Sequence, residues 1–267
     1  MSAKPENQDS GPTLALVIPT KDKMEHLRKT LPGMVFLGFD EIIVIDSSIK
    51  EREQVEQLCK SLKIKYLFAN LDRLCARNAG ASASTCDWVM ICDDDIVIKK
   101  LNKSLFKRLA TDCDFMYGGW GKDAKSHFAW IFKRSFFLDV LKGYDPLITG
   151  GDDLDITLRA KNLGRGRFVF NIGLYESETV GLNIAKDYPN KWIRNKVLYA
   201  LSWYPLIRRH PFLIKNLLVA DYWRLKRIAQ GESFGRIIYE SLIDKAGAII
   251  SPIHYVIRRI SERYPER

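Results

Sequence analysis

Three short, unbroken runs of apolar residues constrain this chain more than any other feature. They are Leu14-Ala15-Leu16-Val17-Ile18, Ile42-Ile43-Val44-Ile45 and Trp88-Val89-Met90-Ile91-Cys92. Each is continuously apolar rather than alternating, the pattern of a strand buried on both faces. Segments of helical spacing separate them, one passing through Leu27 and Leu31 and another from Glu51 to Leu62. Ile64–Phe68 reads as a further short strand, and Arg77–Ser84 is a small-residue segment suited to opening a helix. Thr20 or Asp22 stands where the first helix needs a cap. Strands alternating with helices predict an α/β fold around a mostly parallel, doubly wound sheet.

Each apolar run stops abruptly in polar residues: Pro19-Thr20, Asp46-Ser47-Ser48 and Asp93-Asp94-Asp95. In a parallel sheet the three ends share one edge, where such folds place their ligands. Three adjacent carboxylates repel one another and avoid the interior without partners. A hard divalent cation with oxygen ligands removes that repulsion and accepts charge from a phosphate. The bland alternative is a solvated aspartate-rich turn between two strands, and the convergence of the three ends favours the metal site.

Further along, Lys103–Ala110 has helical spacing, Phe128–Phe132 reads as a strand, and Phe115–Gly121 combines aromatics with glycines that permit close backbone approach. The aromatics belong to the core, with Trp120 the one expected in a cleft. A second acidic cluster, Thr149-Gly150-Gly151-Asp152-Asp153-Leu154-Asp155, leads into a helix. Acidic residues in a first turn complement the helix dipole and cap free N–H groups. That explains one or two of the three aspartates; another, at the mouth of the crevice, is suited to general-base work. Asp155 and Arg159 stand four apart, the spacing of a helix-surface ion pair.

The net charge of +10 is unevenly spread, for Gly181–Arg267 holds 16 Lys and Arg against 7 Asp and Glu. A nearly neutral body therefore carries a basic C-terminal third, which suggests an anionic surface as partner. Residues 1–12 read as a disordered tail, 13–185 as the catalytic domain and 186–267 as a helical, basic amphipathic extension. In that extension Arg208-Arg209, Arg224, Lys226-Arg227 and Arg258-Arg259 alternate with Trp192, Trp203, Tyr204, Tyr222 and Trp223. Pro205, Gly231 and Pro252 are expected to interrupt its helices. Its longest charge-free apolar runs, Val197–Ile207 and Ala246–Ile257, fall short of the roughly 20 residues a spanning helix needs. Peripheral attachment to the cytoplasmic face of an anionic membrane is the expectation, with a solvated basic face as the alternative. Five cysteines without a Cys-x-x-Cys pair indicate reduced thiols rather than a disulfide framework or a zinc site.

The ordered set Val17-Ile18-Pro19-Thr20, Ile45-Asp46-Ser47-Ser48, Ala76-Arg77-Asn78-Ala79-Gly80, Asp93-Asp94-Asp95, Gly143-Tyr144-Asp145 and Gly151-Asp152-Asp153-Leu154-Asp155-Ile156-x-x-Arg159 resembles family 2 glycosyltransferases of the GT-A fold. Arg194-Asn195 and Tyr204-Pro205 extend the resemblance toward the C-terminus. The resemblance implies an inverting transferase that moves a sugar from a nucleotide-diphosphate donor to an acceptor hydroxyl; the basic extension adds the expectation of a glycan or lipid-linked acceptor presented at a membrane. It implies that Asp93 and Asp95 form the DxD motif and bind Mg²⁺ or Mn²⁺, with Asp94 on the donor side. Asp46 then matches the contact to the nucleoside base, Pro19 and Thr20 line the same pocket, and Arg77 meets the donor. Asp153 matches the base, with Asp152 beside it, while Gly151 and Trp120 fall on the acceptor side. No nucleic-acid partner is expected.

Three departures from the family pattern stand out. Lys21 replaces a frequent aromatic, Asp152 replaces a glutamate, and no histidine lies near Tyr175-Glu176-Ser177-Glu178. Two other functions remain open on sequence. A nucleotidyltransferase also uses carboxylates and Mg²⁺, but Pro19-Thr20-Lys21-Asp22 lacks the glycines of a phosphate loop. A non-catalytic basic protein with a structural cation site, binding membrane or nucleic acid, would want an Asp-x-Asp-x-Asp-Gly loop, which is absent.

Overall fold

The computed structural model describes residues 11–117, 129–148, 152–169, 173–180, 200–211, 242–243, 246–247 and 249–257. Backbone contacts divide the chain into two compact units. The first holds residues up to Tyr144 and Leu158–Leu182; the second holds Asp145–Thr157 and Asn183–Arg267.

The first unit is built on a seven-stranded sheet in the order β3-β2-β1-β4-β7-β6-β8. Its strands are β1 (Leu14–Thr20), β2 (Glu41–Asp46), β3 (Lys65–Phe68), β4 (Trp88–Ile91), β6 (Phe115–Tyr117), β7 (Trp130–Lys133) and β8 (Gly166–Phe168). The first four run parallel, as the continuous apolar runs of β1, β2 and β4 and their alternation with helices predict. β1 lies between β2 and β4 and is buried along its whole length, which accounts for the absence of alternation. β7 reverses direction against β4, and β6 reverses again against β7, so the sheet is mixed on that side. The apolar triplet after the aspartates forms β5 (Ile96–Leu101), which leaves the main sheet and pairs with β9 (Tyr175–Thr179) in an antiparallel ribbon.

Helices α1 (Met24–Met34), α2 (Arg52–Ser61), α3 (Arg73–Ala83) and α4 (Lys103–Ala110) connect these strands. α1 buries Met24, Leu27, Leu31 and Met34, one stripe at helical spacing, in the main core. Phe106 of α4 meets Trp88 edge-on at 5.8 Å between ring centroids. α3 packs on β1 and β2 through small residues, and a Cβ built on Gly80 would lie 2.3 Å from Val17 Cγ1. Phe115, Phe132, Phe136, Phe137 and Tyr144 form a ring-on-ring series, so most of the aromatic segment is core.

Two expected helix starts are corrected. Neither Thr20 nor Asp22 caps α1: Glu51 does so from the next connection, its carboxylate accepting from Met24 N at 2.8 Å. Asp22 adopts φ +49° and accepts instead from Ile49 N and Lys50 N, both at 3.1 Å. Arg77–Ser84 does not open a helix: Arg77–Ala83 is the C-terminal part of α3 and Ser84 follows it in extended conformation, while the helix is capped at its start by Asp72, whose side chain accepts from Leu74 N and Cys75 N.

The second unit contains the start of α5 (Asp152–Leu163), with Asp152, Asp153 and Asp155 in its first turn as expected, and the helix Trp203–Arg209. Pro205 does not interrupt that helix; it sits in the first turn, where a missing N–H costs nothing. Residues 249–257 are helical through Pro252. Among the described residues no helix is long and apolar enough to cross a membrane.

Candidate active site

The ends of β1, β2 and β4 meet as their parallel pairing requires. Thr20 pairs in register with Asp46, and Ser47 N donates to Thr20 O at 2.9 Å. The Thr20 hydroxyl donates to Asp94 at 2.8 Å, which binds the first strand end to the third. Pro19 sits one residue back, beside Ile45.

Asp46 is fully buried, and its charge is carried by two donors: Ser48 N at 2.8 Å and the Tyr66 hydroxyl at 2.9 Å. Burial and this hydrogen bond both push the Tyr66 phenol well above its ordinary range, so it remains a donor at neutral pH. Tyr66 was not among the sequence candidates. It lies two residues before Phe68, the in-register neighbour of Asp46, so a strand pairing and not a motif delivers it.

Arg77 supplies the first positive charge to the aspartate cluster. It projects from α3, is 4% exposed, and donates through Nη2 to Asp93 Oδ1 at 2.6 Å. Its guanidinium also lies 5.0 Å from the Tyr144 ring centroid. Asn78 fixes that ring's backbone from both sides: its Oδ1 accepts from Tyr144 N and its Nδ2 donates to Tyr144 O, each at 2.8 Å. Gly143 makes this possible with φ +69°; a Cβ there would fall 2.4 Å from Asn78 Oδ1.

The three aspartates occupy unlike surroundings. Burial pushes Asp94 up to about 6; the Thr20 hydroxyl opposes the shift, and repulsion from Asp93 and Asp95 adds to it. His26, also missed on sequence, faces Asp94 at 3.8 Å. The Asp93 side chain is 39% exposed, and the backbone of Asp95 accepts from Val180 N. Among the described residues no group of three or more His, Cys, Asp or Glu could cage a metal alone. Neighbouring carboxylates at a sheet edge fit the other arrangement open to Mg²⁺ and Mn²⁺, in which one or two protein carboxylates hold the ion and substrate phosphates complete its shell.

In the second unit, Asp155 is 1% exposed and held by Arg209 at 2.9 Å and His210 Nε2 at 3.1 Å. Arg209 also bonds Asp145; burial opposes its charge, but the two carboxylates outweigh that and raise its pKa. Asp155 is thus a structural tie between the first turn of α5 and the helix Trp203–Arg209; Arg159, four residues on, also donates through Nη1 to Leu141 O. Asp152 is 6% exposed, and Asp153 is half-buried with its carbonyl accepting from the Thr157 hydroxyl. Trp120 and Gly151 lie outside the described residues.

Residues 16–156 match the family model described as Glycosyl transferase family 2. No curated protein matches the chain by sequence. Among solved structures, S. aureus TarS 1–349 is similar at 15% identity and TM-score 0.50, over 71% of this chain and 65% of that one. The same protein in complex with UDP-GlcNAc gives 14% identity and TM-score 0.51, over 71% and 66%. The mannosyltransferase PcManGT from Pyrobaculum calidifontis, in complex with GDP-Man and Mn²⁺, gives 16% identity and TM-score 0.55, over 95% of this chain and 76% of that one. The chain spans just under two thirds of the TarS 1–349 length. At these identities the likeness shows the fold, which is that of GT-A glycosyltransferases.

Proposed function

Since the chain belongs to glycosyl transferase family 2, we propose that it transfers a sugar from a nucleotide-diphosphate donor to an acceptor hydroxyl, inverting the anomeric centre in one displacement. The observation that carries this reading is the meeting of Thr20, Asp46, Arg77, Asp93 and Asp94 at one sheet edge, joined by hydrogen bonds from three strand ends and one helix. TarS and PcManGT, whose structures hold UDP-GlcNAc and GDP-Man with Mn²⁺, support a donor of this class.

In this reading Asp46 receives the nucleoside base. Its carboxylate is already oriented by Ser48 N and Tyr66, so little ordering is left for binding. Pro19 and Thr20 border the same pocket. Arg77 holds Asp93 in place and offers its guanidinium to the diphosphate. Asp93 and Asp95 would hold Mg²⁺ or Mn²⁺, which would supply positive charge to the diphosphate. Asp153 takes the proton of the acceptor hydroxyl, a poor nucleophile otherwise, and Asp152 stands beside it. The acceptor is a glycan or a lipid-linked sugar.

Asp153→Asn tests the assignment. Transfer falls by about 10²- to 10⁴-fold, the range of a lost general base, while affinity for the nucleoside diphosphate stays within about twofold. Chelation of divalent cations suppresses transfer and weakens nucleotide binding together. Undiminished transfer by Asp153→Asn would remove Asp153 from the mechanism.

A further inference from the structure

The helical segment 249–257 is amphipathic in the reverse of the usual sense. Its polar and small side is turned inward. Ser251 is fully buried, its hydroxyl donating to Leu201 O and accepting from Tyr204 N at 3.0 Å. One turn on, Tyr255 meets the Tyr204 ring edge-on at 5.4 Å and accepts from Arg208 Nη1 at 3.1 Å. One turn before Ser251, Gly247 lies so close to Ala200 that an added Cβ would come within 2.3 Å of its Cβ. These contacts fix which side faces the rest of this unit.

The opposite side carries Ile249, Ile250, Ile253, Val256 and Ile257, which are 75%, 49%, 61%, 53% and 58% exposed. Five β-branched side chains along about two turns form an apolar patch that a soluble protein leaves to solvent only where something else covers it.

We propose that this face docks on the surface of an anionic lipid bilayer, its isoleucines entering the interface while nearby basic residues meet the headgroups. The choice of occupant rests on charge. The chain from Gly181 onward holds 16 Lys and Arg against 7 Asp and Glu, and Arg258-Arg259 follow the patch directly. A second copy docking through the same face would bring two such basic regions together. Phosphatidylserine-type headgroups meet the same charges with attraction. Apolar side chains followed in sequence by basic ones, where no helix among the described residues is long and apolar enough to cross a membrane, describe a segment lying in the plane of the interface.

The test uses the full chain and two vesicle compositions, phosphatidylcholine alone and phosphatidylcholine with phosphatidylserine. The wild type co-sediments with the anionic vesicles at least about tenfold more tightly than with the neutral ones, and raised salt narrows the gap. Ile249→Asn/Ile253→Asn/Val256→Asn changes only exposed positions, so it keeps the wild-type circular dichroism and thermal midpoint. It loses at least about tenfold in vesicle affinity while hydrolysing donor sugar as the wild type does. Wild-type failure to bind anionic vesicles, or full binding by the triple variant, overturns the proposal. So does a wild-type dimer in sedimentation that the triple variant dissolves, since that assigns the face to a second copy. Donor hydrolysis reports the proposed chemistry separately, so loss of vesicle binding and loss of activity are distinguishable.

Discussion

Gly80→Ala places two ordinary effects in opposition, and the structure decides between them. Gly80 lies in the interior of α3, where alanine gains about 1 kcal/mol in helix propensity. Its added methyl would lie 2.3 Å from Val17 Cγ1 and 3.0 Å from Ile45 Cγ1, both on fully buried residues. Neither neighbour yields easily: Val17 and Ile45 are β-branched, restricted at χ1, and sit on adjacent central strands. Overpacking of this kind costs about 1–3 kcal/mol, and an overlap of more than an ångström against strand side chains belongs at the upper end. The net expectation is a loss of about 2 kcal/mol, or a fall of about 4–8 °C in Tm for a domain of this size. The displacement has a functional consequence too, because Arg77 stands one turn earlier on the same helix and must reach Asp93. Nucleoside diphosphate affinity should therefore drop along with stability. Thermal melts and calorimetric titration of the wild type, Gly80→Ala, Val17→Ala and the double variant complete the cycle. Val17→Ala removes the clashing carbon, so the double variant is more stable than the sum of the single effects predicts, by about 1 kcal/mol or more. A Gly80→Ala protein as stable as the wild type, or an additive cycle, refutes the packing argument.

Arg77→Lys, though it keeps the charge, should lower nucleoside diphosphate affinity at least about tenfold in titration, since an ammonium cannot both stack on Tyr144 and bond Asp93 as the planar guanidinium does. Burial raises the Glu41 carboxyl, but donors from Lys65, Thr85 N and Ser84 prevail and leave it below its ordinary value. Its stabilisation is thus present above the unfolded-state pKa of about 4.3 and lost as pH falls through the lower folded value; Glu41→Gln should flatten that acid limb in pH-dependent denaturation. Burial pushes the Cys59 and Cys113 thiols up to about 12 and about 11, so neither reacts with a thiol reagent at pH 8 until the protein unfolds, as peptide mapping after alkylation would show.

The sheet centre was legible because β1, β2 and β4 are apolar throughout, and burial on both faces leaves no other pattern. The strand-end residues followed from parallel pairing alone. Strand direction was less legible: nothing local in Trp130–Lys133 states that it runs against β4, and the pairing of β5 with β9 joins residues some 80 positions apart. The partners within the site were hidden for the same reason. Glu51 caps a helix from the following connection, Tyr66 reaches Asp46 across a strand pair, and His26 comes to Asp94 from α1. The start of α3 did carry a local signal in Asp72, obscured by the small residues further along. In the second acidic cluster, charge spacing pointed Asp155 toward Arg159, but nothing local pointed to Arg209 and His210, which also hold it from 54 and 55 positions further along.

The Arg77–Asp93 pair bears on how the fold would tolerate the loss of a divalent ion. A protein that relied on a divalent ion to quiet its acidic strand end would melt early when stripped of metal. Here a buried side chain and a threonine hydroxyl already quiet two of the three carboxylates. Dialysis against a chelator should therefore silence such an enzyme while leaving its melting curve almost where it was, and resupplying the ion should revive it without any refolding step.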